Sequence, residues 1–223
     1  MASSEDITTL TFTPDNPCNT IITSPSGKVL YRVETDVSQK EPVTEVSDIA
    51  DELIASLEWH NVSSDKVILK GKKPVSFSDW MKKSHMPFKE YVLFGVYIEA
   101  VDHKHHDLFS EASFKDDQGR KYKWKGIGSG RCVELHSDDD NFKTVIARYT
   151  RSYRKPNPDG DGVINTPGEL KLTPRATEIQ DLVIATLLFQ EKRRKLSDGG
   201  LSPTAASALM SGAMYGSQAV MSA

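Results

Sequence analysis

The chain has 223 residues, of which 28 are basic and 31 are acidic, and its formal net charge is −3. A chain of this length can bury a substantial core, either as one large β domain or as two small ones. The near balance of charge excludes a global field that would draw the protein to nucleic acid or to a membrane. A local patch is the only way in which charge could recruit either partner.

The cysteines and the N-terminus indicate a cytoplasmic protein. Cys18 and Cys132 are too few for a disulfide framework, and the polar first residues lack the charged and apolar regions of a secretory signal. The apolar segment 182–189 is far shorter than the ~20 residues that span a bilayer. We therefore expect two reduced thiols, no transmembrane segment and a buried role for residues 182–189.

Most of the chain before residue 173 has the pattern of strands and turns. Apolar and polar residues alternate between Gly-, Pro- and Asp-rich turns, which is typical of antiparallel β-structure. A helix-start signal at Ser76 predicts a short helix over about 78–83, and 177–195 is predicted to form a longer one. The predicted strands are 7–12, 20–23, 28–35, 43–46, 53–59, 67–70, 91–101, 109–114, 121–125, 131–135, 144–149 and 169–172. Residues 48–53 could instead form one helical turn.

The segment 182–189, Leu-Val-Ile-Ala-Thr-Leu-Leu-Phe, decides the predicted architecture. A helix that is apolar on every face must be surrounded by other elements. A chain made mostly of strands can surround one helix by wrapping a sheet around it, which also removes exposed sheet edges. The sequence therefore predicts a mainly β fold, a closed antiparallel β-barrel around a C-terminal apolar helix.

Composition divides the chain near residue 196. Residues 1–196 are predicted to form the single barrel domain. Residues 197–223 are dominated by Ser, Ala, Gly and Met and carry no charge after Asp198, so we predict a low-complexity, disordered tail.

Five segments of this sequence resemble a domain family of fungi that is abundant in mushrooms. The segments are 10–20 (LTFTPDNPCNT), 27–34 (GKVLYRVE), 58–60 (EWH), 119–125 (GRKYKWK) and 145–151 (VIARYTR). The similarity extends from about residue 8 to residue 196. That family is in turn similar to the tubby, LURP-one-related and phospholipid-scramblase superfamily. The resemblance implies a tubby-like barrel around a C-terminal helix, and it transfers no catalytic residue or cofactor.

Residues 121–125 carry the clearest surface pattern. With a period of two, three lysines share one face of the strand while Tyr122 and Trp124 share the other. A solvated outer face over a packed inner face explains this pattern, and a binding patch is the functional alternative. The patch would consist of basic residues on this strand and on a neighbouring one, namely Arg120, Lys121, Lys123, Lys125, Arg148 and Arg151.

The leading functional prediction is a non-catalytic intracellular binding module that recognises anionic phospholipid headgroups through this basic face. Phosphoinositide recognition is what the tubby branch of the superfamily implies. The alternative is an enzyme acting on nucleic acid, such as a ribosome- or RNA-directed fungal defence protein. In that case the bases of the nucleic acid would stack on Tyr122, Trp124, Tyr149 and Tyr153. A structural or protein-interaction domain is a third possibility.

Three further patterns have a structural and a functional interpretation. His103 and His105 have the parity to share a metal ion, but a polar, exposed hairpin tip is the preferred explanation. Residues 157–169 resemble the start of a calcium loop, yet Gly168 stands where the closing acidic ligand belongs. The basic run Lys192-Arg-Arg-Lys195 is typical of the C-terminal end of a helix. The functional alternative is a short signal for nuclear import or for binding to anionic lipid. We predict no metal and no cofactor. Glu58, His60, Glu134 and His136 are the weak candidates for acid–base chemistry.

Overall fold

A computed structural model describes residues 7–60, 63–84, 111–128, 130–158, 160 and 162–198. The strands are β1 (Thr8–Thr13), β2 (Thr20–Thr23), β3 (Val29–Asp36), β4 (Val43–Asp48), β5 (Leu53–Glu58), β6 (Lys66–Leu69), β7 (Val75–Ser76), β8 (Lys82–Ser84), β9 (Glu111–Lys115), β10 (Lys121–Lys125), β11 (Cys132–Ser137), β12 (Val145–Thr150), β13 (Tyr153–Pro156), β14 (Val163–Thr166) and β15 (Gly168–Leu172). The helices are α1 (Phe77–Trp80), α2 (Pro174–Thr177) and α3 (Gln180–Asp198). The strand predicted at 91–101, the pair His103 and His105, and residues 199–223 lie outside the described residues.

Thirteen strands form one antiparallel sheet, which confirms the mainly β prediction. Their order is β7-β6-β5-β4-β3-β2-β1-β15-β12-β11-β10-β9-β8. Neighbouring strands in this order follow one another along the chain, except where β15 lies between β1 and β12. Apolar and polar residues alternate in these strands because β1, β3 and β10 each bury every second side chain.

The predicted closed barrel is not found in the described part of the chain, because the sheet is open between β7 and β8. Every ladder in it is antiparallel, so strand direction alternates and the first and last of thirteen strands run the same way. Direct pairing of β7 with β8 would therefore be parallel, unlike every other ladder. Residues 77–81 alone separate the two strands, so the sheet curls until its ends are joined by α1.

Helix α3 lies inside this curled sheet. Its apolar residues from Val183 to Phe189 are at most 2% exposed, which confirms that this segment is core. From β10, Trp124 Nε1 donates to Thr186 Oγ1 at 3.0 Å, and from β3, Tyr31 donates to Asp181 Oδ1 at 2.6 Å. Five strands separate β3 from β10 in the sheet. The helix is therefore contacted from opposite sides by one continuous sheet.

Strands β13 and β14 form a separate hairpin between β12 and β15. The calcium-like loop lies in its turn, flanked by strands as expected rather than by the two helices of a calcium hand. Asp159 and Asp161, which would supply two of the oxygen ligands, lie outside the described residues. Among the residues that the structure describes, no group of three side chains is arranged to hold a metal ion.

Candidate anion-binding face

The candidate site lies on the outer face of β10, a strand in which buried and exposed side chains alternate. Tyr122 and Trp124 are buried at 0% and 1% exposure, and Trp124 is fixed by its hydrogen bond to Thr186 of α3. Because successive side chains point to opposite faces of a strand, this inner packing forces the lysines of β10 outward. Lys121 is exposed, and Lys123 and Lys125 are half-buried.

Strand register extends this outer face across six strands. Lys121 is paired with Lys115 of β9, Lys123 with Ser113, and Ser113 in turn with Lys82 of β8. On the other side, Lys125 is opposite Glu134 of β11, which is paired with Arg148 of β12 and then with Lys171 of β15. We call this surface the basic face; it consists of Lys82, Lys115, Lys121, Lys123, Lys125, Arg148 and Lys171.

Two members of the basic face are held by carboxylates on the same surface. Lys123 Nζ lies 2.9 Å from Glu111 Oε2, and Arg148 Nη2 lies 2.7 Å from Glu134 Oε1. Lys125 donates instead to the backbone oxygen of Phe142 at 3.0 Å. These contacts fix the three side chains and offset part of their charge.

Four lysines of the basic face have no ion pair among the described residues and are exposed to solvent. They are Lys82, Lys115, Lys121 and Lys171. Glu169 is the remaining acidic residue of these strands on this side, so the face keeps an excess of positive charge. An anion would meet these lysines without first breaking an ion pair.

Arg120 immediately precedes β10, and its side chain is held within the β9–β10 turn. Its Nε lies 2.6 Å from Asp116 Oδ2 and its Nη1 lies 3.6 Å from Glu178 Oε2. The hydrogen bond to Asp116 raises the pKa of Arg120 further above its already high value. Arg120 therefore closes the β9–β10 turn and is not part of the basic face.

Arg151 lies inside the molecule, away from the basic face. It is 8% exposed, and its Nε and Nη2 donate to Glu191 of α3 at 2.9 and 2.6 Å. Its guanidinium also donates to the backbone oxygens of Gly130 and Ile127. Arg151 carries the same charge as Arg148, but it lies three residues further along the chain, so the alternation that turns Tyr149 inward also turns Arg151 inward. The structure therefore brings together four of the six predicted residues, whereas Arg120 is held in the β9–β10 turn and Arg151 is buried.

His136 is paired with Lys123 on the outer side of β11. Burial lowers the pKa of His136, and the nearby charge of Lys125 lowers it further. The imidazole is neutral at neutral pH and adds no charge to the basic face. His136 and Glu134 lie on β11, whereas Glu58 ends β5, and six strands separate β5 from β11 in the sheet. The four predicted acid–base residues therefore form two separate pairs.

The aromatic residues proposed for base stacking are mostly inside. Tyr122, Trp124 and Tyr149 are each at most 2% exposed. Tyr153 is half-buried beneath Arg131, whose guanidinium carbon is 4.6 Å from the ring centroid. No set of exposed rings accompanies the basic face in the described part of the chain, and stacking on bases has no support here.

The fold and the basic face together define the class of protein: an antiparallel β-sheet domain curled around one helix, with basic side chains clustered on part of its outer surface. A family model, described as a family of unknown function (DUF6593), matches residues 15–196, and the chain belongs to this family. Comparison with curated proteins finds no significant match. The helices that the structure describes include none with the length and apolarity needed to cross a membrane.

An X-ray structure of a protein from Arabidopsis thaliana is similar to this chain at 12% sequence identity. The similarity covers 80% of this chain and 88% of the other, with a TM-score of 0.40. A likeness this distant carries no argument about fold or function.

Proposed function

We propose that this chain is a non-catalytic intracellular binding module whose basic face recognises anionic phospholipid headgroups. The observation that supports the proposal is the group of exposed lysines on β8, β9, β10 and β15, which have no ion pair with any residue that the structure describes. Each basic side chain near an anionic leaflet contributes about 1 kcal/mol of attraction. Four such lysines on one face add their attractions to an anionic membrane surface. Binding through them leaves the ion pairs of the basic face intact.

The distribution of charge also supports an oriented contact. The outer side of β3, β4 and β5 carries Glu34, Asp36, Glu45 and Glu58 against the single basic residue Arg32. The basic face and this acidic surface belong to different halves of the sheet. Their separation gives a nearly neutral chain a preferred side for an anionic surface.

The proposal includes the tubby-like architecture that the sequence resemblance implies. A fully antiparallel closure requires one further strand in the seam, running opposite to β7 and β8, since these two strands are parallel to each other. Fourteen alternating strands can close where thirteen cannot. The curled sheet around α3 is consistent with such a barrel, and phosphoinositides are the headgroups to test first.

The direct experiment is flotation of the purified chain with phosphatidylcholine vesicles that contain or lack phosphoinositide. At low ionic strength we expect the chain to float with the phosphoinositide vesicles only, and we expect added salt to release it because exposed charges are screened. Equal flotation with both vesicles, or none with either, contradicts the proposal. Ribosomal RNA incubated with the chain should stay intact; cleavage or depurination would favour the nucleic-acid enzyme instead.

Charge-reversal variants locate the contact on the basic face. The double variant Lys121→Glu, Lys171→Glu should bind phosphoinositide vesicles at least about tenfold more weakly, because two attractive charges become repulsive. The matched control is the double variant Lys28→Glu, Lys40→Glu, which reverses two exposed lysines in the turns before and after β3. Its binding should be unchanged. An equal loss in the control would show that net charge, rather than the basic face, governs binding.

A further inference from the structure

A cavity of about 500 Å³ opens beside the beginning of α3, at a site separate from the basic face. Its walls come from β3, β5 and the end of β6, from the β9–β10 turn and from the first turns of α3. The volume lies within the range of small-molecule sites, roughly 300 to 1,000 Å³. The position places it between the two halves of the sheet, where the ion pair of Lys72 with Asp117 joins the β6–β7 turn to the β9–β10 turn.

The lining of this cavity is divided into an apolar floor and a charged rim. Ile54, Leu69, Leu182 and Ala185 supply the floor, and the ring of Tyr31 stands beside them. Apolar walls with a few convergent polar groups are characteristic of ligand sites. A ligand with an apolar body therefore fits the floor, and the rim decides which polar group it carries.

The basic side chains of the rim are each held by a carboxylate. Lys70 Nζ lies 2.5 Å from Glu52 Oε2, and Arg120 Nε lies 2.6 Å from Asp116 Oδ2. Lys72 pairs with Asp117, as described above. None of these cations is left to hold an anionic ligand without giving up its present partner.

The carboxylates of the rim are satisfied by cations with one exception. Asp116 and Asp117 are paired as above, and Glu178 accepts from Arg175 at 2.7 Å. Asp181 has no lysine or arginine within ion-pair distance in the described part of the chain. It accepts a hydrogen bond from the Tyr31 hydroxyl at 2.6 Å, and Gln180 Nε2 donates to that same hydroxyl oxygen at 2.9 Å. Among the described residues, Asp181 is therefore the one carboxylate of the rim whose hydrogen-bond partner is a tyrosine hydroxyl rather than a cation.

We infer that this cavity binds an amine attached to an apolar chain or ring, with the ammonium group against Asp181 and Tyr31. A carboxylate and an aromatic face are the two groups that stabilise a desolvated cation in proteins. The apolar floor takes the body of the ligand. The site uses no residue of the basic face, so it stands independently of phospholipid binding.

The test compares two probes that share a chain and differ in charge: octylammonium and octanoate, both below their micelle concentrations. Titration of the wild-type chain, followed by NMR shifts of residues around Tyr31 and Ala185, should show saturable binding of octylammonium at least tenfold tighter than of octanoate. Asp181→Asn should remove that preference. Asp51→Asn, which changes an exposed aspartate paired with Arg32 outside the cavity, should keep it.

Tighter binding of octanoate, equal binding of the two probes, or shifts located elsewhere would overturn the inference. The wild-type comparison decides the question even if Asp181→Asn fails to fold. Phosphoinositide flotation of Asp181→Asn should equal that of the wild type, so failure of either site is seen separately.

Discussion

At the residue scale, the most informative side chains are basic groups that the fold has placed inside. Arg151 and Lys192 are charged residues in a sequence, but their surroundings give them opposite roles. Arg151 has a carboxylate and two carbonyl oxygens within reach, so its charge is matched. Lys192 has no exposed surface, and in the described chain its Nζ contacts the Trp59 ring without a hydrogen-bond acceptor.

The ion pair of Arg151 with Glu191 yields the first prediction. Glu191→Ala leaves a buried guanidinium without its counter-charge, and we expect it to lower the free energy of unfolding by about 3–5 kcal/mol. The double variant Arg151→Met, Glu191→Leu removes both charges and should lose less than Glu191→Ala alone. Urea denaturation measures both. A double variant that is less stable than Glu191→Ala would contradict the desolvation argument.

Lys192 yields a pH-dependent prediction. Burial lowers the pKa of Lys192 well below its usual range, although the charges of Asp65 and Cys18 act in the opposite direction. In the unfolded chain a lysine keeps its proton up to about pH 10.4. Between the lowered folded pKa and that value, unfolding takes up a proton, so the free energy of unfolding rises with pH.

Lys192→Met should therefore raise the free energy of unfolding at neutral pH and flatten its increase towards alkaline pH. Denaturant titrations across that range test this, with the exposed Lys28→Met as the control that leaves the slope unchanged. A loss of stability at neutral pH would mean that the ammonium is retained and stabilised by the Trp59 ring.

At the element scale, α3 organises the fold, and its burial is unequal along its faces. Phe189 has no exposed surface and its ring centroid lies 6.2 Å from that of Trp80, whereas Leu182 is half-buried beside the cavity. We expect Phe189→Ala to cost about 3–5 kcal/mol of unfolding free energy. Leu182→Ala is the control on the same helix and should cost clearly less. Equal costs would show that the sheet does not enclose α3 at Phe189.

Periodicity predicted the central elements because their burial is regular. The alternation in β10 arises because one face of the strand is buried, and the all-round apolar segment of α3 arises because the helix is buried on every side. Periodicity could not predict β7, β8 or the β13–β14 hairpin, since these are two to four residues long and mostly exposed. The helix predicted over 177–195 is α3, which begins at Gln180 and runs on to Asp198 with Lys192 still buried, and the short α2 precedes it.

The basic face was partly predictable for the same reason. Parity within one strand placed Lys121, Lys123 and Lys125 together without any knowledge of the fold. Lys171 was not predicted, although it alternates with Leu170 and Leu172, because β15 lies beside β12 through a long-range pairing. The same parity separates Arg151 from Arg148, because Arg151 stands an odd number of residues away and shares the inner side with Tyr149.

At the scale of the whole molecule, the proposed binding to an anionic surface depends on the separation of charge rather than on net charge. A chain with a net charge of −3 gains no general attraction to an anionic surface. The basic face on β8–β12 and β15 and the acidic outer side of β3–β5 together predict a single orientation on such a surface. Orientation is therefore a more demanding test than binding.

An environment-sensitive fluorophore can report that orientation on phosphoinositide vesicles. Cys132 is exposed and is first replaced by serine, and the buried Cys18 stays unlabelled. The label is then attached through Lys115→Cys on the basic face or Glu45→Cys on the acidic side. We predict that the label at position 115 moves to a less polar environment when vesicles are added and that the label at 45 does not change. A response at 45, or binding without a response at 115, would contradict the central claim.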